Sequence, residues 1–520
     1  MKEIIFDSYD FEYLISRNCL YVDKSEYYWK LISSAAKTYF MSRPRRFGKS
    51  LTVSALRAIF SGKRDLFEGL AIDSKDYDWA VYPVIHLNMA QGRINSIETL
   101  TEIITYQLDY HAKLYGVSLT NNNISLRFQE LITALAGDKN KVVILVDEYD
   151  KPILDNIMSE NIKQILAEMK GFYGILKTCD SMERFVFMTG VSKFSKVSVF
   201  SDLNNLVDLT MDARFANMMG YTQNELEVNF GEYLKPLAEV QKLDYGDFLA
   251  KIKLWYDGFR FEKSSETVYN PVSLASFIRN RGDFRNYWFA TGTPTFLLEV
   301  ARASNFNIEQ TLTEPVDELV FSAYEVGNLN PLVLMIQTGY LTIKSYEDGI
   351  TGTDFYLDFP NLEVKSSFQT YFLAFYIDKQ AVDTNGFSKK LVKALSMGNP
   401  DEFISVFNSL MAGVPYDLHV KVERYYQTIF FVVFRMIGVY IQAEARTFDG
   451  RIDAFAAYGD NAYVFEFKLD STAEIALEQI KTKEYFKQFE NSGKKITLIG
   501  ANFDSETGKI TDYKIEPYNS

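Results

Sequence analysis

The feature that most constrains the fold is an almost wholly apolar run with an acidic end, KVVILVDEYD at residues 141–150. A strand with one wet face alternates apolar and polar residues. A continuous apolar run is instead typical of a strand buried on both faces of a parallel sheet. A second run of this kind is RFVFMTG at residues 184–190. Together they predict a sheet that is covered by helices on both faces.

Strand and helix patterns alternate through the first part of the chain. Further strands are predicted at 37–42 and 82–89, and helices at 50–60, 97–115, 126–136 and 160–178. Such βα alternation predicts a doubly wound α/β domain, which we assign to residues 1–220.

The rest of the chain predicts two further segments. Residues 221–385 are mixed and aromatic-rich, and we interpret them as a helical, lid-like connecting region. Residues 386–520 begin with a helical pattern and then become rich in strands. The strand-rich block comprises strands at 441–447, 450–458, 461–470 and 494–503, with a helix at 472–490. A chain of 520 residues has room for about three domains, which agrees with this division.

The composition limits the kinds of catalytic site that the chain can form. Two cysteines disfavour a disulfide framework and a cysteine-based zinc site. Three histidines, far apart in sequence, disfavour a histidine-rich hydrolase metal centre and a histidine-dependent nuclease. The net charge of −13 disfavours indiscriminate coating of nucleic acid. The stretch 27–64 is basic in contrast to the whole chain, because it holds nine Lys or Arg residues and no acidic residue. We therefore expect catalysis to depend on carboxylates, lysine and metal.

The sequence also predicts a cytoplasmic protein with no membrane segment. The N-terminus carries acidic residues where a signal peptide needs a basic start. The most apolar run, residues 429–441, contains Arg435 and is too short to span a bilayer, so we expect a buried helix there.

A phosphate-binding motif lies within the basic stretch. RPRRFGKS, at residues 43–50, matches the P-loop pattern at Gly48, Lys49 and Ser50, while Arg43 replaces its first glycine. Loop N–H groups and the N-terminus of the following helix would face phosphates. Lys49 would reach the β- and γ-phosphates, and Ser50 would ligate Mg²⁺. Candidates for additional phosphate contacts are Arg45 and Arg46.

Two buried strands end in residues that suit the same site. Asp147 and Glu148 follow the first apolar run, where P-loop enzymes keep an acid for Mg²⁺ and a glutamate that polarises the attacking water. Thr189 ends the second run, where many ATPases keep a polar residue that senses the γ-phosphate. The alternative interpretation is that the acidic residues, Asp150 included, only cap a strand.

A second constellation is GRIDAFAAYGDNAYVFEFK near the C-terminus. Glu466 and Lys468 lie two residues apart on a predicted strand and therefore share a face. A turn at residues 458–461 predicts a hairpin that brings Asp453 beside them. Two carboxylates can bind a divalent metal, and a lysine can orient or deprotonate water. The alternative is an ordinary set of cross-strand ion pairs, although the apolar context VFEFKL makes unexplained charges expensive.

The chain resembles known families in both regions. SRPRRFGKSL, VDEYDKP and TGVSKFSKVSVFSDLNNL resemble the bacterial AAA-ATPase-like family, and the resemblance covers most of residues 1–270. An arginine in place of the first glycine is usual in that family. Its members bind ATP and often carry a nuclease-superfamily domain at the C-terminus.

The C-terminal motifs resemble the PD-(D/E)XK nuclease superfamily. GRID matches its metal aspartate, with Ile452 where a proline often stands, and EFK matches its Glu-x-Lys element. The resemblance also implies roles for Gln479 and Tyr485, which match a helix motif in part of that superfamily. Glu444 is a candidate additional acidic ligand.

These features predict a P-loop NTPase joined to a PD-(D/E)XK-like α/β domain. We expect ATP and Mg²⁺ (or Mn²⁺) as cofactors, nucleic acid as the substrate, whether DNA or RNA, and a second copy of the chain as a candidate partner. The alternative is an ATP-dependent switch whose nuclease-like domain binds nucleic acid or a partner without cleaving it. The aromatic stretch LWYDGFRF, residues 254–261, is predicted to be core and not a base-stacking surface.

Overall fold

The computed structural model describes most of the chain. The residues that it does not describe are 6–7, 138–139, 194–202, 289–294, 304–305, 307, 322–328, 351, 377–380, 413–428, 430–431, 435, 439–441, 449–450, 485, 491 and 519–520. Side chains are also not described at 295–296, 302–303, 309–310, 376, 381–385, 442–448, 451–453 and 488.

The chain forms two compact units. The first contains Met1–Trp288 and Pro315–Asn361, and the second contains Phe289–Glu314 and Leu362–Ser520. The predicted division into three domains, with boundaries at residues 220 and 385, is not tested by these compact units and stays a prediction.

A five-stranded sheet organises the first unit. Its strands are β1 (Thr38–Ser42), β2 (Val84–Asn88), β3 (Val142–Asp147), β4 (Glu183–Gly190) and β5 (Val207–Asp208). They pair in the order β2-β3-β4-β1-β5, and every pairing is parallel. The predicted α/β fold with a parallel sheet is confirmed. Strand β5 was not predicted, because two residues are too few to form a recognisable pattern.

Helices connect and flank these strands. Those of the first unit are α1 (Phe11–Ser16), α2 (Ser25–Ile32), α3 (Lys49–Phe60), α4 (Ile97–Tyr115), α5 (Ile124–Ala136), α6 (Lys151–Asp155), α7 (Ile162–Thr178), α8 (Gln223–Gln241), α9 (Tyr245–Tyr256), α10 (Pro271–Arg279) and, later in the chain, α13 (Pro331–Thr338). A hairpin of β6 (Thr342–Gly349) and β7 (Gly352–Asp358) completes the unit. The sequence pattern of residues 342–358 did not predict these strands.

The outer edge of β2 is closed by side chains of α4. Gln107 accepts from one backbone N–H of β2 at 2.7 Å and donates to the carbonyl of the same residue at 3.1 Å. The Tyr115 hydroxyl does the same at 2.8 and 3.2 Å, and Nε2 of His111 lies 3.1 and 2.8 Å from a third such pair. The backbone partners are, in the same order, Asn88, Val84 and His86.

The spacing explains why this closure works. Four residues of a helix advance about 6 Å, and two residues of a strand advance about 6.6 Å. Every fourth residue of α4 therefore meets every second residue of β2, with the two elements running in opposite directions.

A mixed sheet organises the second unit. Its strands are β8 (Gln442–Phe448), β9 (Arg451–Tyr458), β10 (Asn461–Leu469), β11 (Lys495–Phe503) and β12 (Ile510–Tyr518). They pair in the order β12-β11-β10-β9-β8, with β10 and β11 parallel and the other pairs antiparallel. Its helices are α11 (Thr295–Ala303), α12 (Ile308–Thr313), α14 (Leu362–Tyr376), α15 (Ala381–Ser396), α16 (Pro400–Met411), α17 (Ala473–Lys483) and α18 (Lys487–Glu490).

The helix predicted at 472–490 is in fact two helices. Glu484 ends α17 in the left-handed region, at φ 54°, and the chain turns before α18. Above the sheet, α17 packs so closely on β11 that a Cβ added to Gly500 would lie 2.5 Å from the Ala473 carbonyl oxygen. This close approach requires glycine at position 500.

The apolar run at 429–441 is only partly described. Within it, residues 432–434 and 436–437 are helical, and Val433, Phe434 and Ile437 are buried, as the sequence predicts for a buried helix. Separately, in the part of the chain that the structure describes, no helix combines the length and apolar character needed to cross a bilayer.

We expect Glu183, at the start of β4, to make the stability of the protein depend on pH. The residue is 1% exposed, and its burial raises the pKa of the carboxyl from 4.5 to about 8. Between those values the folded state binds a proton that the unfolded state has released. Stability is therefore full below the unfolded pKa and falls as pH rises, by about 1.4 kcal/mol per pH unit at most.

Replacing Glu183 by Gln should remove this dependence, because the amide resembles the protonated carboxyl. The thermal midpoints of parent and Glu183→Gln should be similar at pH 5, and the variant should be the more stable at pH 8. Glu102→Gln, at an exposed position of α4, is the control and should follow the parent. Equal midpoints of parent and Glu183→Gln at both pH values would contradict the expectation.

Candidate functional site

The phosphate motif forms the connection between β1 and α3. Residues 43–48 make the loop, and α3 begins at Lys49. Gly48 precedes the helix in the left-handed region, at φ 93°, where a side chain would be strained. Arg46 also has a positive φ, 70°. The loop therefore turns sharply twice before the helix N-terminus, where free N–H groups can face an anion.

Lys49 lies inside its own loop. Its buried ammonium donates to the carbonyl oxygens of Arg43 and Pro44, both at 3.0 Å. Burial lowers the pKa of Lys49, and the charges of Glu148 and Asp147 oppose that shift. The ammonium is thus held close to the acidic end of β3.

Asp147, the last residue of β3, is brought next to Ser50. The side chain of Asp147 is 2% exposed; burial raises its pKa, and a hydrogen bond with the Ser50 side chain lowers it. Its Oδ1 has no hydrogen-bond partner among the described residues. A buried oxygen without a partner beside a hydroxyl is a donor set that suits Mg²⁺, which prefers oxygen ligands.

Glu148 follows directly and adopts φ 50°. A left-handed backbone costs a non-glycine residue about 1 kcal/mol. Such strain persists only where the surroundings enforce it, and it often marks functional positions.

Asp150 is a buried residue of this site to which the sequence analysis gave no role beyond strand capping. Its Oδ2 accepts from the backbone N–H groups of Val191, at 2.9 Å, and Ser192, at 2.6 Å. Burial raises the pKa of Asp150 to about 6. Its position in the run DEYD was visible in the sequence, but its partners just beyond β4 were not.

The other predicted residues of the loop region are placed differently. Thr189 is buried and donates to the carbonyl of Met41 at 2.8 Å, so its hydroxyl joins β4 to β1. The side chain of Arg45 is exposed, and that of Arg46 bonds to the hydroxyl of Tyr9. Contacts of these three residues with phosphate stay predictions.

A largely apolar cavity, which no sequence pattern predicted, opens beside the loop. Its lining includes Tyr9 and Val22 of the N-terminal segment and Gly48 and Thr52 of the loop and α3. Residues of α8 and α10 also line it, namely Phe230, Pro271, Val272 and Ala275. The segment YVDKSEYYWKLI ahead of β1 was the available signal, since Tyr21, Val22, Lys24 and Tyr28 of that segment line the cavity.

The C-terminal constellation centres on Lys468. Its ammonium donates to Oε1 of Glu466 at 2.7 Å and to Oε1 of Gln479 at 2.5 Å. Glu466 is fully buried, at 0% exposure, and Gln479 lies on α17 above the sheet. Three of the predicted catalytic residues therefore form one connected cluster.

The backbone register places Asp453 directly opposite Glu466 on the neighbouring strand. The same register puts Arg446 of β8 opposite Asp453, while Glu444 lies opposite Phe455, two positions away. The side chains of Asp453 and Glu444 and the whole of Tyr485 are outside the described residues. Among the side chains that are described, no group of three or more His, Cys, Asp or Glu could hold a metal ion.

Similarity to known proteins agrees with the two families that the sequence resembles. Residues 7–200 match the AAA-ATPase-like family, described as "Predicted AAA-ATPase", and residues 421–513 match a family of the PD-(D/E)XK nuclease superfamily. An "Uncharacterized protein in vnfD 5′region" from Azotobacter chroococcum mcd 1 is 35% identical over 509 residues, covering 95% of each chain.

Gly190 allows Asp150 to occupy its position, and we expect its replacement by alanine to disturb the site. An added Cβ would lie 2.4 Å from Oδ1 of Asp150 and 2.7 Å from Cδ1 of Tyr149, so the carboxylate must move. Overpacking of this kind costs about 1 to 3 kcal/mol. The thermal midpoint of Gly190→Ala should fall accordingly.

Gly171→Ala is the matched control. Position 171 lies within α7, and its nearest atom, Ser125 Oγ, is at an ordinary distance of 3.7 Å. Alanine should there be neutral or stabilising, by about 0.5 to 1 kcal/mol. If both variants melted at the same temperature, close packing at Gly190 would not be what holds Asp150.

Proposed function

The chain belongs to the AAA-ATPase-like family and carries a PD-(D/E)XK nuclease superfamily domain, and on that premise we propose that it hydrolyses ATP and cleaves nucleic acid. ATP would bind at residues 43–50, and a phosphodiester would be cleaved at Glu466, Lys468 and Gln479. The observation that carries the proposal is that each motif forms a connected set of buried and half-buried polar groups.

The contacts of Lys49 support ATP binding. Its ammonium is held by two loop carbonyls, from which it would pass to the β- and γ-phosphates. The N-terminus of α3 would supply N–H groups to the same anion. The adenine ring would enter the apolar cavity beside Gly48, which Tyr9 and Val272 also line.

Magnesium would be held by Ser50 and Asp147, whose buried Oδ1 has no other partner among the described residues. The ion would neutralise developing charge on the phosphates. Glu148 would polarise the attacking water. Asp150 would keep the segment after β4 in place through its bonds to Val191 and Ser192.

The cost of burying charge supports a functional role for the second site. A buried carboxylate paired with a lysine contributes little net stability, because desolvation offsets the attraction. Buried charged groups that share hydrogen bonds are frequent in active sites. Glu466 and Asp453 would hold a divalent ion, Mg²⁺ or Mn²⁺, which would supply a Lewis acid for water and phosphate. Lys468, oriented by Gln479, would hold or remove a proton of the attacking water.

A switch protein without nuclease activity is the second candidate function. The net charge of −13 favours it, because an acidic chain repels nucleic acid at long range. The connected Glu466, Lys468 and Gln479 favour cleavage, since binding alone does not require a lysine in contact with a buried carboxylate. Neither proposal specifies DNA or RNA.

The ATP site is tested by removing one group at a time. Lys49→Ala should abolish ATP binding in calorimetric titration, because no cation then faces the β- and γ-phosphates. Glu148→Gln should bind ATP like the parent and hydrolyse it at least about a hundredfold more slowly, since only the water-polarising group is lost. Lys63→Ala, just after α3 and paired with Glu12 at 2.5 Å, is the control and should bind normally. ATP binding by Lys49→Ala at parental affinity would refute the site.

The nuclease site is tested with Mn²⁺ titration and with cleavage of mixed nucleic-acid substrates. Asp453→Ala should lose both metal binding and cleavage, because it removes a proposed ligand. Lys468→Ala should lose cleavage and keep metal binding, because lysine acts on the water.

Lys481→Ala is the matched control for Lys468→Ala. Lys481 lies on α17, where it pairs with Glu516 at 2.9 Å on the exposed surface. The Lys481→Ala variant should cleave nucleic acid like the parent. If the parent neither bound Mn²⁺ nor cleaved any substrate, with and without ATP, the switch interpretation would replace the nuclease.

A further inference from the structure

The first glycine of the P-loop pattern is replaced by a residue that is part of the core. Arg43 is 1% exposed, and its guanidinium donates to four backbone carbonyls. Nη1 donates to the carbonyls of Ser42 and Thr210, both at 2.9 Å, and Nη2 donates to those of Phe215 at 3.3 Å and Ala216 at 3.4 Å. One side chain thus ties the end of β1 to the segment that follows β5.

An aromatic ring completes the surroundings of Arg43. The guanidinium carbon lies 4.2 Å from the ring centroid of Phe261, a favourable cation–π distance. Phe261 in turn packs edge-on against Phe47 of the same loop, at 5.3 Å between centroids. The aromatic stretch 254–261 therefore contributes packing around the loop, as the core interpretation predicts.

The backbone at position 43 does not require glycine. The residues of the motif with positive φ are Arg46 and Gly48, and Arg43 is not among them. Conformational freedom at position 43 would therefore only add disorder to the unliganded loop.

A buried guanidinium bonded to neutral carbonyls is costly. In the part of the chain that the structure describes, Arg43 has no carboxylate within ion-pair distance; burial lowers its pKa, and the charge of Asp208 partly opposes this. An apolar residue at position 43 would avoid this desolvation cost. The presence of the guanidinium is therefore explained only if it serves a further purpose.

That use is visible in the contacts of Lys49. The two carbonyls that accept from its ammonium belong to Arg43 itself and to Pro44. Pro44 is also confined, because a Cβ added to Gly339 would lie 2.7 Å from its ring. Fixing Arg43 therefore fixes the two acceptors that aim Lys49.

We propose that Arg43 is a positioning residue of the nucleotide site, which holds residues 43 and 44 so that Lys49 points to the phosphates before ATP arrives. Restoring the consensus glycine should consequently weaken ATP binding and not improve it. The inference rests on the proposed ATP site.

The test compares affinities for ATP and AMP in Arg43→Gly. Loss of the anchoring bonds should weaken ATP binding about tenfold or more. AMP lacks the phosphates that Lys49 serves, so its affinity should change much less. A role confined to folding would lower the thermal midpoint, or would lower the affinities for ATP and AMP by the same factor. Either result, without a selective loss of affinity for ATP, would overturn the proposal.

Two further variants keep the test decisive. Arg43→Lys retains the charge but cannot reach carbonyls in several segments, so it should show the same selective loss even if Arg43→Gly does not fold. Arg214→Ala is the control and should bind ATP like the parent. Arg214 lies in the segment to which Arg43 is hydrogen-bonded, but its own side chain is 73% exposed. Parental ATP affinity in Arg43→Lys would overturn the inference, whereas no ATP binding by the parent would overturn the proposed function itself.

Discussion

The phosphate site depends on parallel strands ending at the same edge of a sheet. Parallel pairing of β1 with β4 and of β4 with β3 brings the loop after Ser42, the carboxylate of Asp147 and the turn after Gly190 together. None of these groups is near the others in sequence. Without either of these two pairings, Lys49 would be separated from Asp147 and Asp150, so the chemistry of this region follows from strand order.

Local patterns were sufficient for much of this arrangement. The apolar runs predicted β3 and β4, and the motif at 43–50 predicted the loop and the start of α3, because both signals lie within a few adjacent residues. The pairing of Ser50 with Asp147 followed from the general rule that strand ends converge. In the second unit, the two-residue turn at Gly459 and Asp460 set the register that places Asp453 opposite Glu466.

What could not be predicted depends on contacts between distant segments. The anchoring of Arg43 joins residues more than 160 positions apart, and no spacing rule connects Arg43 to Thr210 or Phe261. The role of Gln479 entered only through family resemblance, because helix periodicity does not reveal which strand residue lies beneath a helix. The break at Glu484 was missed for a related reason, since a charged residue in the left-handed region carries no pattern of its own.

Closure of the β2 edge has a consequence for how copies of this chain can meet. An open edge strand invites backbone pairing with another molecule, which can grow without limit. Here the backbone groups of alternate residues of β2 already face Gln107, His111 and Tyr115, so an incoming strand would have to displace all three. Any association on this flank must use side chains, whose shapes and charges select a partner, and an assembly formed in that way can be both specific and finite.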